Sequence, residues 1–168
     1  MDDEVYFDNT IVSAIAKRDT PAETPAIVRV LRADAEGQLR LWTSGVTEEE
    51  VDKYRGEAKP TVEAIYLLMK KANYVKRQEL LGMKVHIDRY TCINSPMIED
   101  DPLWLELRGL GLDALDAHHL MVAVKHGCRV FLTCDGDFLN NPTRKAAIES
   151  RYKIRLRRPS EFVAEEGL

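Results

Sequence analysis

Apolar residues recur along the chain in two patterns: short runs typical of buried strands, and spacings of three and four typical of helices. Strands are predicted at residues 5–7, 39–43, 129–133 and 153–157, with a further candidate at 83–87. Helices are predicted through Ile11, Ile15 and Ala16, from residue 47, and over 26–35, 61–81, 102–108, 113–126 and 142–150. This alternation favours a three-layer α/β domain with a mostly parallel central sheet flanked by helices.

Residues that start and stop helices set some of these boundaries. Glu50 follows Thr47 at the spacing of a capping box, so a helix is predicted to open at Thr47. Pro60 and Gly82 bound the longest predicted helix. The stretch 88–101 is poorly periodic and is predicted to be a loop.

Length and composition fit a single domain over residues 1–168. The chain has 168 residues, 45% hydrophobic and 31% charged, which excludes a disordered or low-complexity protein. No apolar run is long enough to span a bilayer, and the start of the chain is acidic, unlike a signal peptide. Its three cysteines are odd in number and form no CxxC pair, so reduced thiols in a cytoplasmic protein are expected.

The net charge is −4, from 24 basic and 28 acidic residues. This balance argues against a protein that coats nucleic acid, because a phosphate backbone requires a basic surface. It leaves open an enzyme whose acidic residues gather in one site to hold cations. The placement of the acids is therefore more informative than their number.

Acidic residues follow the predicted strands three times: Asp8 after the first, Glu50 in the helix after the second, and Asp135 after the strand at 129–133. Asp116 joins them from the first turn of the preceding helix. Carboxylates gathered at one end of a parallel sheet repel one another and raise each other's pKa. Mg²⁺ or Mn²⁺ would relieve that repulsion and could activate water for attack on phosphorus.

The neighbours of these acids resemble a known family. The stretches are VYFDNT at 5–10, TSGVTEEEV at 43–51, LDAHHL at 115–120 and FLTCDGDF at 131–138, with RPSEF at 158–162 near the end. Together and in this order they resemble the successive motifs of PIN-domain nucleases.

The resemblance implies a Rossmann-like PIN fold and a divalent-metal site, for Mg²⁺ or Mn²⁺, made by Asp8, Glu50, Asp116 and Asp135. It also implies hydrolysis of RNA phosphodiester bonds that leaves a 5′-phosphate and a 3′-hydroxyl. Many small members of this family are toxins paired with an antitoxin protein. An antitoxin and a second copy of the chain are therefore candidate partners besides RNA.

Each acid also has a structural interpretation. Asp8 could be only a helix N-cap, and Glu50 could belong to an exposed acidic helix start. Asp113 is predicted to be the N-cap of its helix, which assigns Asp116 to the site. The Asp135-Gly136-Asp137 stretch also suits a turn; Asp135 matches the family's acid, while Asp137 is a second metal ligand or the cap of the next segment.

Several neighbours are predicted to support the acids without binding the metal. Thr10 lies two residues after Asp8, and Thr133 could orient an acid or a bound water, or be an ordinary strand residue. His119 lies one turn from Asp116 and is expected to pack or orient and not to bind a metal. Cys134 is expected to be a small buried residue and not a nucleophile.

Residues 144–158 contain seven basic residues and one acid, Glu149. Lys153, Arg155 and Arg157 alternate with apolar residues, so they are predicted to share one face of the last strand. Such a stripe could bind RNA phosphates, or it could protect a sheet edge from aggregation.

Three other functions remain alternatives. A haloacid-dehalogenase-type phosphatase would have a second Asp two residues after the first, where this chain has Thr10. A receiver-type phosphoacceptor would have adjacent acids near the first strand and a late Lys, an order that does not fit. A PIN-like module that binds other proteins without catalysis is the third.

Overall fold

The computed structural model describes residues 3–18, 20–69, 73–75 and 101–168. Its centre is a five-stranded sheet in the order β3-β2-β1-β4-β5, and all four pairings between neighbours are parallel. The strands are β1 (Asp3–Phe7), β2 (Leu39–Ser44), β3 (Asn73–Val75), β4 (Val130–Leu132) and β5 (Arg155–Arg157). The predicted α/β class with a parallel sheet is confirmed.

Helices cover both faces of the sheet. They are α1 (Asn9–Lys17), α2 (Thr24–Ala35), α3 (Gly45–Lys53), α4 (Lys59–Met69), α5 (Pro102–Gly109), α6 (Ala114–Lys125), α7 (Gly136–Leu139), α8 (Pro142–Tyr152) and α9 (Pro159–Glu166). None of the helices in the described ranges combines the length and apolarity that a bilayer-crossing segment requires.

The period of two along the strands builds two hydrophobic cores, one on each face of the sheet. Val5 and Phe7 belong to the core under α1, α2, α4 and α9, whereas Tyr6 between them belongs to the core under α5, α6 and α8. On this second face the Tyr6 ring stacks on Phe131 of β4, with centroids 5.4 Å apart and planes inclined by 12°. The structure is therefore three-layered, as predicted.

Parallel pairing brings the carboxyl ends of the strands to one side of the sheet. Asp8, Gly45, Thr133 and Arg158 directly follow β1, β2, β4 and β5 there, and we call this side the carboxyl edge. Backbone hydrogen bonds join its segments: Asp8 N–H donates to Leu132 O at 3.3 Å, and Thr133 N–H donates to Arg157 O at 3.1 Å. In folds of this kind, ligands bind outside this edge.

The predicted helix over 61–81 is confirmed over 61–69 and wrong at 73–75, while residues 70–72 and 76–81 lie outside the described residues. Helix α4 starts at Lys59 and ends at Met69, and Asn73–Val75 form strand β3 beside β2. Parallel pairing with a neighbouring strand outweighs the helical spacing that the sequence shows there, because strand formation depends on tertiary context. The predicted strand at 83–87 and all but the last residue of the predicted loop at 88–101 lie outside the described residues.

Two further boundaries differ from the sequence prediction. Helix α3 begins at Gly45, because the Ser44 hydroxyl accepts a hydrogen bond from Val46 N–H and is the N-cap; Thr47 instead lies fully buried in the first turn. The last strand begins at Arg155. Lys153 is the C-cap of α8 with a left-handed φ of 57°, so it does not share a strand face with Arg155 and Arg157.

Candidate active site

Asp8 ends the central strand β1 and caps helix α1. Its Oδ1 accepts hydrogen bonds from Thr10 N–H at 2.9 Å and from the Thr10 hydroxyl at 2.5 Å, and the residue is only 4% exposed. The prediction that Asp8 is a helix N-cap is therefore confirmed. It does not account for the burial of a charged group, which costs free energy unless that charge has a use or a partner.

Two threonine hydroxyls connect the ends of β1 and β4 around Asp8. Thr10 Oγ1 lies 3.2 Å from Thr133 Oγ1 and accepts a hydrogen bond from Cys134 N–H at 2.8 Å. Thr133 is fully buried and its Oγ1 accepts from Asp135 N–H at 2.9 Å. Thr10 and Thr133 therefore connect Asp8 with the segment that carries Asp135, while their supporting role at a site stays a prediction.

Burial raises the pKa of Asp8 from its ordinary value of 3.8 to about 6. His119 and the hydroxyls of Thr10 and Thr133 lower the pKa of Asp8 and so oppose this shift, while the charge of Glu50 adds to it. Asp8 and Glu50 therefore lie close enough to influence each other, although they are on different elements of the chain.

Asp116 lies in the first turn of α6, next to its N-cap. Asp113 is that cap, since its Oδ1 accepts from Leu115 N–H and Asp116 N–H, both at 2.8 Å, as predicted. The pKa of Asp116 is raised to about 7, chiefly by burial and then by the charges of Asp113, Asp135 and Asp8, in that order of size. The structure thus brings Asp8, Asp116 and Asp135 into one electrostatic cluster at the carboxyl edge.

Glu50 joins this cluster from α3. With Ser44 as the N-cap, Glu50 lies in the second turn of α3, where its Oε2 is 2.6 Å from Nε2 of His119. The other ring nitrogen of His119, Nδ1, is 2.8 Å from the Tyr6 hydroxyl. Both nitrogens of His119 therefore contact protein groups, which matches the expected orienting role.

Asp137 is placed differently from the other acids. It is exposed in the first turn of α7, and its N–H donates to Asp135 Oδ1 at 2.8 Å. Asp135 is therefore the cap of α7, which corrects the alternative that Asp137 caps it. Asp135 is also the acid of this segment whose charge raises the pKa of Asp116.

The basic residues of β5 already have acidic partners. Arg155 pairs with Glu165 at 3.2 Å and with Glu166 at 2.8 Å, and Arg157 pairs with Glu149 at 2.5 Å and with Glu165 at 2.7 Å. Arg155 and Arg157 do share one face, as predicted, but that face packs against α9 and α8 instead of forming an unpaired basic stripe.

Arg158 is a cation at the carboxyl edge that the sequence prediction did not include among the site residues. It follows β5 directly, and its charge partly opposes the burial that raises the pKa of Cys134 to about 12. Cys134 is partly buried with a free thiol, and its raised pKa fits its predicted non-nucleophilic role. The register of β5 against β4 is the signal that places Arg158 beside Thr133, and the sequence alone does not give that register.

The acids of this cluster are oxygen donors, the kind of ligand that hard divalent cations prefer. Within residues 3–18, 20–69, 73–75 and 101–168, no group of three or more His, Cys, Asp or Glu side chains is arranged so that it could hold a metal ion by itself. Mg²⁺ needs no such group, because it usually keeps several waters and takes one or two carboxylates together with substrate phosphates. Asp8 and Asp116, whose pKa values are raised by burial and by neighbouring acids, are carboxylates that a cation would stabilise in the charged form.

Asp113 allows its cap and its charge to be tested separately. We expect Asp113→Ala to lower the free energy of unfolding by about 1 kcal/mol through loss of the cap, and Asp113→Asn to lower it much less. Both variants should lower the pKa of Asp116, because both remove the neighbouring charge that raises it. Urea unfolding and carboxyl NMR titration measure the two effects; equal destabilisation by Ala and Asn would contradict the cap.

Comparisons of the chain with protein-family models, with curated proteins and with solved structures find no match. The resemblance to PIN-domain nucleases therefore stays a prediction from sequence motifs. Function has to be inferred from the placement of Asp8, Glu50, Asp116 and Asp135.

Proposed function

We propose that this protein is a divalent-metal-dependent ribonuclease that hydrolyses RNA phosphodiester bonds, of the kind its PIN-like motifs suggest. The observation that carries the proposal is the convergence of Asp8, Glu50, Asp116 and Asp135 at the carboxyl edge, where burial and mutual repulsion raise the pKa of two of them. Strong shifts of this kind are concentrated at functional sites.

Asp8, Asp116 and Asp135 are the residues that would hold Mg²⁺ or Mn²⁺, with Asp137 as an outer candidate. A bound ion of this class supplies a lowered pKa for water and charge stabilisation at phosphoryl oxygens. Thr10 and Thr133 fix the carboxylate of Asp8 in place through their hydroxyls. The chain would thus provide a rigid, negatively charged binding site for the ion.

Glu50 is the candidate for the general base. Its Oε2 contacts His119, which leaves Oε1 as the oxygen to accept a proton from the attacking water. The water oxygen forms the new bond to phosphorus as the bond from phosphorus to the 3′-oxygen breaks. The departing oxygen takes up a proton, so the products carry a 5′-phosphate and a 3′-hydroxyl.

The experiment that tests this function is cleavage of labelled RNA by the purified protein with Mn²⁺, with Mg²⁺ and with a chelator. Cleavage that requires the ion and disappears in Asp8→Asn supports the proposal. Absence of cleavage of single-stranded and structured RNAs at millimolar Mn²⁺, by a folded protein, would instead favour the non-catalytic interaction module.

RNA contacts can be assigned by the salt dependence of binding, using Asp8→Asn to prevent turnover. We expect Arg158→Gln to flatten the salt slope for single-stranded RNA by about 0.7, the value for one phosphate contact. Changing Arg155 and Arg157 together to Gln should alter the slope less, because both guanidinium groups already pair with glutamates.

Lys153→Gln serves as the control, since this side chain is exposed at the end of α8. Flattening by about 1.4 in the Arg155 and Arg157 double variant, with no change in Arg158→Gln, would show that RNA follows β5 instead of the carboxyl edge.

A further inference from the structure

A chain of four polar side chains crosses the interior and ends at the candidate site. Ser44 Oγ lies 2.8 Å from Tyr6 Oη, which lies 2.8 Å from His119 Nδ1; His119 Nε2 lies 2.6 Å from Glu50 Oε2. Ser44 and Tyr6 are fully buried and His119 is 3% exposed. The side chain of Glu50 is 23% exposed, so the chain runs from the core to the site surface.

With a neutral His119 ring, the chemistry of the end groups gives this chain one direction. Tyr6 is fully buried, and a phenol is already neutral at neutral pH, so Tyr6 has one proton to donate. An ionised carboxylate can only accept, so Glu50 requires the proton of His119 on Nε2. Nδ1 of the neutral ring is then an acceptor, and it receives the Tyr6 hydroxyl.

The same direction also satisfies the hydrogen bonds at the Ser44 end of the chain. Once the Tyr6 proton points to His119, the Tyr6 oxygen accepts from the Ser44 hydroxyl, and Ser44 Oγ accepts from Val46 N–H at 3.3 Å. Each hydroxyl and each ring nitrogen then makes the bond its protons allow. Buried networks in which all members are satisfied are rigid and specify one arrangement.

The four residues come from different elements, which fixes their relative positions. Tyr6 lies in the central strand and stacks on Phe131, Ser44 ends β2, His119 lies on α6 and Glu50 on α3. The centroids of the Tyr6 and His119 rings are 5.9 Å apart. The His119 ring is therefore contacted, on the side away from Glu50, by the hydroxyl of Tyr6, which is fully buried and cannot itself contact a substrate.

We propose that Tyr6 and His119 are positioning residues, which lock the His119 ring in its Nε2–H tautomer and thereby hold the carboxylate of Glu50 in one orientation. For the role of Glu50 in cleavage, this inference rests on the proposed function. The inference that His119 holds the Glu50 carboxylate in one orientation does not depend on the proposed function. Partners of this kind, one step removed from the reacting groups, typically contribute about 10- to 100-fold to activity.

The tautomer can be measured without any substrate. Long-range ¹H–¹⁵N NMR spectra of histidine-labelled protein distinguish a protonated ring nitrogen from an unprotonated one, and His119→Gln identifies the His119 signals among the four histidines. We expect protonated Nε2 and unprotonated Nδ1 at neutral pH. In Tyr6→Phe, which keeps the stacked ring and removes only the hydroxyl, the Nδ1 signal should shift.

Kinetics test the consequence for Glu50. We expect Tyr6→Phe to lower kcat about 10-fold with little change in KM, because the reacting carboxylate loses its fixed orientation while RNA contacts remain. His119→Leu should lose about 100-fold. His119→Gln should lose less kcat than His119→Leu, since the glutamine amide can still donate a hydrogen bond to Glu50. A purely structural role of His119 would not explain that difference.

The outcomes separate this inference from the proposed function. A folded wild type that shows the Nε2–H tautomer but cleaves no RNA would overturn the function and leave the positioning of Glu50 intact. An Nδ1–H tautomer, or a ring protonated on both nitrogens at neutral pH, would overturn the positioning. So would an active wild type whose kcat is unchanged in Tyr6→Phe and equally reduced in His119→Gln and His119→Leu.

Discussion

Changing Asp8 to Asn is expected to abolish metal-dependent RNA cleavage and, in the same protein, to increase the stability of the metal-free fold at neutral pH. The loss of activity should exceed the roughly 100-fold typical of a supporting residue, because the amide removes a charge that faces the cation. The amide oxygen still accepts from Thr10 N–H and the Thr10 hydroxyl, as Oδ1 of Asp8 does. The cap of α1 therefore survives.

The gain in stability follows from the raised pKa. Moving the pKa of Asp8 from 3.8 to about 6 means that the folded state disfavours the ionised carboxylate. At about 1.4 kcal/mol per pKa unit, relief of this penalty is worth at most about 3 kcal/mol at neutral pH. Urea unfolding in the presence of a chelator measures the change.

Asp8→Ala is the matched control for the cap. It removes the same charge but also the acceptor for Thr10, so it should be less stable than Asp8→Asn by about 1 kcal/mol. If Asp8→Asn is instead as destabilised as Asp8→Ala and still cleaves RNA, Asp8 is only a helix cap. In that case Asp8 has no place in the site.

The acids of the site could be predicted from the sequence because their positions follow from local rules. Asp8 comes directly after the apolar run that forms β1, Asp135 comes three residues after the end of β4, and parallel strands end on the same side. Asp113 as the cap and Asp116 inside the helix follow from the spacing of helix starts. These predictions need only short segments and the parallel topology.

The contacts that orient Glu50 could not be predicted, because they join distant parts of the chain. Tyr6 is 38 residues from Ser44 and 113 from His119, and Glu50 is 69 residues from His119. The sequence also put the N-cap of α3 at Thr47, three residues after the observed N-cap Ser44, which places Glu50 in the first turn instead of the second. Only the packing of α3 against α6 shows which way Glu50 faces.

The prediction of an unpaired basic stripe on the last strand is wrong for a related physical reason. The alternation around Arg155 and Arg157 correctly predicts a shared face, but not what packs against it. Glu149 comes from α8 and Glu165 from α9, and both reach these guanidinium groups. Charge along one segment is therefore a weak guide to a binding surface until the neighbouring elements are in place.

The metal-free protein is expected to lose stability as the pH rises from about 4 to about 8. Asp8 and Asp116 have pKa values of about 6 and about 7 in the folded state, above their ordinary value of 3.8. Between these values the folded state binds more protons than the unfolded state, so the free energy of unfolding falls with increasing pH. Asp101 is shifted the other way, with a lowered pKa beside Lys125, and acts only at more acidic pH.

Mn²⁺ should counteract this loss, because the ion binds the ionised carboxylates of the folded protein. At about 100 times its dissociation constant a ligand adds about 2.7 kcal/mol to the free energy of unfolding. The increment should therefore be small near pH 5 and grow toward pH 8, as protons leave Asp8 and Asp116. Asp135→Asn should remove most of it, and Asp137→Asn, at an exposed position on α7, should remove less. The assigned site would be contradicted if the stability of the metal-free protein rose with pH. It would also be contradicted if Asp137→Asn abolished the Mn²⁺ increment and Asp135→Asn left it intact.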